Sequence, residues 1–311
     1  MTKQKPVSMK RNLFFVMLFA LSISGLSQGI TDLRQLFDYD KGEDIEFRVL
    51  STKDTLQGSI NSVIFSSTGG LKVTATLIIP KQKIREFPAV IFLNDASQDK
   101  DAFMSQALNL AGCAFAVLLI DPLPTRPEMT RILYHNFAEP RKDLIAYKQA
   151  VLDIRRAIDM LEQHPRIDRN RIAFIGSGDG AMTGAILSGI ETRILTYILL
   201  DCRSSYSYLL QNSRDPLFAK ARNALTEEQI KQYESIVKIL NPSNYLPYHR
   251  NTQILFQFAE NDPYFDGQTA RDVVQFTKDP KTQKYYKTTN AGLIILEEAC
   301  NDQKNWLRDH L

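Results

Sequence analysis

Arg171-Ile172-Ala173-Phe174-Ile175-Gly176-Ser177-Gly178-Asp179-Gly180-Ala181-Met182-Thr183-Gly184-Ala185-Ile186-Leu187-Ser188 is the stretch that decides the fold. Its first part is a short run of apolar, partly β-branched residues, as in a strand buried on both faces. Gly176 to Gly180 then makes a tight turn, and the small and apolar residues from Ala181 to Ser188 read as a helix. A strand, a glycine-rich turn and a helix in this order place one residue, at the centre of the turn, on top of a sheet beside free backbone N–H groups.

The same rhythm extends to both sides. Upstream, Ala89 to Leu93 and Ala114 to Ile120 are continuous apolar strands separated by a helix over Ala102–Ala111. A long amphipathic helix follows over Pro140–Gln163, with Leu144, Tyr147, Val151, Ile154, Ile158 and Leu161 on one face. Downstream come a strand at Ile194–Leu200, a strand at Gln253–Ala259, a helix at Gly267–Phe276, a strand at Lys284–Thr288 and a helix at Glu297–His310. Apolar strands alternating with helices predict a mostly parallel, doubly wound α/β sheet. Before it, Asp44–Leu50, Ser59–Ser66 and Leu71–Ile79 read as strands, the last two forming an antiparallel hairpin about Thr68-Gly69-Gly70. Residues 203–247 are polar and helical and read as an insertion, either a lid or an ordinary surface excursion.

The chain has 311 residues, of which 44% are hydrophobic and 23% charged, enough for one large core. Residues 1–27 read as a secretory signal peptide. Lys3, Lys5, Lys10 and Arg11 precede an apolar run from Leu13 to Ile23 and the small-residue segment Gly25-Leu26-Ser27. An uncleaved anchor is the alternative, but the run is shorter than the ~20 residues that span a bilayer. Cleavage would leave one domain, residues 28–311, in a secreted or periplasmic protein with no membrane span. It would also take the net charge from +3 to −1, leaving no footprint for nucleic acid. Cys113, Cys202 and Cys300 lack metal-ligand spacing. They could form one disulfide in an oxidising compartment or pack as small hydrophobes.

With its order and spacing of elements, the chain resembles the α/β-hydrolase superfamily, and within it the secreted dienelactone-hydrolase-like and prolyl-oligopeptidase-like esterases. The resemblance rests on Leu36-Phe37-Asp38-Tyr39-Asp40, Pro88 to Leu93, Asn136 to Arg141, the glycine turn, and Trp306 to Leu311. It implies an α/β-hydrolase fold in which the turn is the nucleophile elbow. The nucleophile position then falls on Gly178, the acid on Asp262 and the base on Leu293. The His-Gly pair that helps to form an oxyanion hole falls on Asn94-Asp95. Glycine cannot attack and leucine cannot accept a proton, and an acyl-transfer triad works as a unit.

Three residues are candidates to restore chemistry. Ser177 precedes the central position and also reads as a plain turn residue. Asp179 gives a small-x-acid-x-small frame like that of hydrolases with an aspartate nucleophile, or it favours the helix N-terminus by charge. His135, among four histidines, is the one able to lean toward the upper sheet edge. Asp262 with Glu260, Asp266 and Asp121 matches no cation-binding loop, and no metal or cofactor is expected. The expected function is that of a degenerate hydrolase homologue binding a small molecule, glycan or peptide in a cleft lined by Asn94, Asp95 and Asp179. An active hydrolase built on Asp179 and an envelope scaffold are the alternatives.

Overall fold

The computed structural model describes residues 30–126, 135–250, 252–265 and 267–311. The expected signal segment lies outside the described residues. The chain divides into two compact units, residues 1–38 and 39–311. In the first, residues 30–35 are helical.

The second unit is built on one nine-stranded sheet. Its strands are β1 Arg48–Asp54, β2 Gly58–Ser66, β3 Lys72–Pro80, β4 Phe87–Leu93, β5 Ala116–Ile120, β6 Ile167–Ser177, β7 Ile194–Leu200, β8 Gln253–Ala259 and β9 Lys281–Tyr286. The spatial order is β1-β2-β3-β5-β4-β6-β7-β8-β9. The first three strands form an antiparallel meander that joins the sheet through an antiparallel β3–β5 pair, and all pairs from β5 to β9 are parallel. This is the α/β-hydrolase architecture that the sequence predicts, with its N-terminal hairpin. The turn of that hairpin is one 3₁₀ turn in which Gly69 and Gly70 take φ of 65° and 76°, values that favour glycine.

The five residues of β5 are all buried, as are the last six of β6. Helices therefore cover both sheet faces. On one face α1 (Met104–Gly112) and the C-terminal α9 (Glu297–His310) pack over Val90, Phe92, Leu119, Ile175 and Leu255. The other face carries α2 (Pro140–Gln163) and α3 (Asp179–Ile190). Pro140 opens α2 at its first turn, where the missing N–H costs nothing.

Between β7 and β8 the insertion folds into α4 (Tyr206–Asn212), α5 (Pro216–Ala224) and α6 (Glu227–Val237). The start of α6 is locally encoded, since Thr226 and Gln229 form a capping box there. The insertion is pinned to α2 by aromatic stacking, with the Tyr206 and Tyr147 rings 4.1 Å apart at 14°. In the centre of the sheet β5 begins at Ala116 rather than Ala114 and β6 at Ile167 rather than Arg171, and two further strands shift: β1 begins at Arg48 rather than Asp44, and β9 spans Lys281–Tyr286 rather than Lys284–Thr288. The last two are edge strands, with β1 exposed along its whole length, so neither carries the burial pattern that marks strand ends. Helix α7 (Gly267–Phe276) and the short α8 (Asn290–Leu293) complete the unit.

Candidate functional site

The elbow forms as its sequence predicts. β6 ends at Ser177, Gly178 takes φ 54° and ψ −117°, and α3 begins at Asp179. Only glycine adopts that conformation without strain. Its N–H donates to the Leu200 carbonyl at 3.1 Å and its carbonyl accepts from Met182 N at 3.0 Å. The flanking glycines answer a different need. A Cβ on Gly176 would overlap the Gly180 backbone, and one on Gly180 would overlap the Leu93 carbonyl. Strand and helix backbones approach so closely there that no side chain fits.

Above the elbow lies an open cleft of about 570 Å³. The loop after β4 supplies one wall. Asn94 is buried and organises that loop, its Nδ2 donating to the Asp99 carbonyl at 2.8 Å and its Oδ1 accepting from Asp95 N at 2.9 Å. Asp95 thereby turns its carboxylate toward Gly178. Oδ1 accepts from Ser97 N at 2.9 Å and from Ser97 Oγ at 2.6 Å, and Oδ2 faces Asp179 N at 3.4 Å. Oδ2 sits inside hard-sphere contact of the position where a Cβ on Gly178 would be. The space beside the nucleophile position thus holds the Asp95 carboxylate. Burial raises the Asp95 carboxyl above its ordinary range, and the nearby Asp179 charge adds to this.

Asp179 is buried at the start of α3, with Oδ2 3.3 Å from His135 Nε2. His135 holds φ 59°, its Nδ1 lies 2.8 Å from the Tyr147 hydroxyl, and its ring stacks on Phe137 and leans on Phe218. Burial pulls the imidazole pKa down, but the surrounding carboxylates Asp179, Asp143 and Asp95 outweigh it and leave the value raised. Behind the ring, Asp143 accepts from Asn136 N at 2.7 Å, and burial raises its carboxyl to about 6. The structure therefore brings Asp179 and His135 together, with Asp95 beside them. Ser177 is buried and lines the same cleft.

Asp262 follows β8 as its sequence context suggests. Oδ1 accepts from the backbone N–H groups of Tyr264 and Phe265 at 2.8 and 3.2 Å. With Leu293 at the base position, it has no histidine there to orient. It instead forms a short, buried ion pair with Arg203, whose guanidinium lies 4.3 Å over the Phe265 ring. Leu293 is wholly buried in the apolar core, while Asn290 and Ala291 of the same helix line the cleft. Of the acidic residues near the strand ends, Asp121 pairs with Lys100 at 2.6 Å and Asp262 with Arg203, and Asp266 lies outside the described residues. Among the described residues no group of three or more histidine, cysteine or acidic residues could hold a metal. Cys113, Cys202 and Cys300 are free thiols.

Arg203 and Asp201 are cleft residues that the sequence reading passed over. Burial raises the Asp201 carboxyl to about 6 against the opposing pull of Arg203, and its Oδ1 accepts from Ala259 N at 3.0 Å. The available signal was Asp201-Cys202-Arg203 directly after the apolar strand β7, at the carboxyl end of a parallel sheet, where ligands bind in such folds. The insertion adds Leu209, Asp215, Leu217 and Phe218, so it forms a wall of the cleft.

Residues 43–233 match the family model described as acetyl xylan esterase (AXE1), which is more than half of the chain. The chain belongs to the acetyl xylan esterase family. No curated protein matched it. Among solved structures, it is similar to the acetyl xylan esterase from Paenibacillus sp. R4, at 16% identity over 91% of this chain and 93% of that one, with a TM-score of 0.73. It is also similar to acetyl xylan esterase 1 from Thermoanaerobacterium sp. JW/SL YS485, at 14% identity over 84% and 88%, with a TM-score of 0.69. An S-formylglutathione hydrolase from Agrobacterium tumefaciens aligns at 13% identity over 85% and 99%, with a TM-score of 0.62. At these identities the structural likenesses establish the α/β-hydrolase fold that this acetyl xylan esterase family member shares with them. No helix among the described residues is long and apolar enough to cross a membrane.

Proposed function

We propose that this acetyl xylan esterase homologue binds a glycan in the cleft above β6 and does not hydrolyse esters. The observation that carries the reading is the Asp95 carboxylate lying where a side chain at position 178 would begin. A serine hydrolase needs a nucleophile, a base and an orienting acid in contact. Here the first position is glycine with a carboxylate over it, the acid is engaged by Arg203, and Leu293 belongs to the core. What remains suits recognition. Carboxylates accept hydrogen bonds from hydroxyl groups, and the rings of Phe218, Tyr264 and Phe265 offer flat apolar faces. An open cleft lined with polar groups supports binding over a scaffold role. The three-part character of residues 1–27 supports export to the periplasm or beyond, where a glycan would be met.

The test is twofold. The purified protein should leave 4-nitrophenyl acetate and acetylated xylo-oligosaccharides at the uncatalysed rate, and calorimetry should detect saturable binding of an oligosaccharide. Ester turnover above background would overturn the reading.

A second reading is favoured by one contact, His135 Nε2 to Asp179 Oδ2 at 3.3 Å, which is within reach for acid–base chemistry. In that reading the protein is an active hydrolase with Asp179 as the attacking carboxylate. Turnover abolished in both Asp179→Asn and His135→Gln would select it.

A further inference from the structure

Each helix of the insertion places one aromatic ring in a cluster built around His135. From α5, Phe218 packs on the imidazole at 4.8 Å and on Phe137 at 5.3 Å. From α6, Tyr233 packs on Phe137 at 5.3 Å, and Phe137 is itself stacked on His135. From α4, Tyr206 stacks on Tyr147, whose hydroxyl lies 2.8 Å from His135 Nδ1. Phe218 is the one buried residue of α5, and Tyr233 is one of two in α6. The docking of these two helices therefore depends largely on this cluster.

The centre of the cluster carries the charge. His135 Nε2 pairs with Asp179 of α3 at 3.3 Å. Asp143 of α2 and Asp95 of the loop after β4 also act on the imidazole. The Tyr147 hydroxyl of α2 lies at Nδ1, and the Tyr233 hydroxyl of α6 lies beside Asp143. Helix α5 contributes the uncharged Phe218, while Asp215 at its N-cap lines the same cleft. Arg203, another cation of the cleft, is paired with Asp262. A protonated His135 thus balances the buried carboxylates. A neutral one loses the attraction of Asp179 and leaves those carboxylates to repel one another. His135 also sits at φ 59°, a left-handed backbone conformation that its contacts must hold.

We propose that His135 is a pH-sensitive latch for the insertion: protonated, it ties α4–α6 over the cleft through Asp179 and the rings packed around it, and on losing its proton it lets the insertion open. The latch goes beyond ligand recognition, since it controls access to the cleft whatever the cleft binds. Burial pulls the imidazole pKa down, but the carboxylates outweigh it and leave it above the ordinary 6.5. The latch is therefore complete below pH about 6.5 and lost as pH rises through the higher folded value. Asp143 and Asp95, whose carboxyls burial raises, change stability in the same direction, so variants must separate them from His135.

The experiment is backbone hydrogen exchange of the full protein between pH 5.5 and 8.5, expressed as protection relative to the intrinsic rate at each pH. Protection of α4–α6 should fall at least about tenfold across this range. At pH 8.5 those helices should exchange ahead of β4–β8, so that the insertion opens while the sheet stays closed. Asp179→Asn should move the midpoint of the fall to lower pH, because the carboxylate paired with the imidazole is gone. His135→Gln should flatten the profile at the low-protection end. A flat wild-type profile would overturn the proposal, as would α4–α6 exchanging in step with the sheet at pH 8.5. A profile that survives His135→Gln would assign the titration to Asp143 or Asp95 and overturn it too. Should His135→Gln fail to fold, the wild-type profile and the Asp179→Asn midpoint decide, and an unmoved midpoint counts against the latch.

Discussion

Arg203 has taken the partner role at Asp262: both side chains are 8% exposed, and the pair closes between the loops that follow β7 and β8. Breaking a buried pair from one side strands the other charge, at a cost of about 3–5 kcal/mol. Arg203→Ala should therefore lower stability by that order in denaturant unfolding. Because a pair removed whole leaves no orphan, Arg203→Met combined with Asp262→Leu should recover most of the loss.

Gly178→Ser should not create a nucleophile. The backbone there has φ 54° and ψ −117°, and the new Cβ meets the Asp95 carboxylate. A strained residue of this kind costs on the order of 1–3 kcal/mol, to which the overlap adds. Adding Asp95→Ala should relieve the overlap. The double variant should be more stable than Gly178→Ser alone, a positive coupling that a double-mutant cycle measures directly.

Leu293→His should unfold the protein more readily without yielding a base. Leu293 is fully buried among Tyr286, Ile294, Ala299 and Leu307. Replacing it loses apolar burial and brings a polar ring into the core, a change worth about 2–5 kcal/mol. Thermal unfolding and a 4-nitrophenyl acetate assay on the same sample check both parts.

The stability of the protein should carry a signature of Asp143. Its carboxyl moves from 3.8 to about 6 on folding, because burial disfavours the ionised form. The folded state then binds this proton more tightly than the unfolded one, so the contribution is full below pH about 4 and lost as pH rises through about 6. Asp143→Asn keeps an acceptor for Asn136 N–H and removes the titration. The variant should gain on the wild type across that window, by up to about 3 kcal/mol at pH 8, in urea unfolding run at several pH values.

Thiol titration should divide the cysteines two to one. Cys113 and Cys300 are partly exposed and Cys202 is fully buried, with its thiol pushed far up by burial. A thiol reagent should find two groups in the native protein and a third on denaturation.

The parts of this molecule legible in sequence are those written in short-range pattern. The β6–α3 elbow, the apolar strands β4 to β8 and the 24-residue α2 each announce themselves within a window of residues. The exposed edges β1 and β9 do not, since a strand that buries neither face has no periodicity to read. The site divides in the same way. Gly178 stands out within its local glycine frame, and Asp262 follows from the resemblance. The carboxylate over Gly178 comes from the loop after β4, 83 positions earlier, and the partner of Asp262 lies 59 positions away, in the loop after β7. Contacts between neighbouring strand ends are set by the order β4-β6-β7-β8, which no local window contains.

At Gly176 and Gly180 two backbones run too close for any side chain. That constraint belongs to the packing of α3 against the ends of β6 and β4, whatever stands at residue 178. The glycine frame is thus a property of the hinge line of the fold, and it persists when the chemistry beneath it is exchanged. In this architecture a pair of spaced glycines reports that a corner has been turned, and the side chains reaching over that corner from neighbouring strands report what the corner is for.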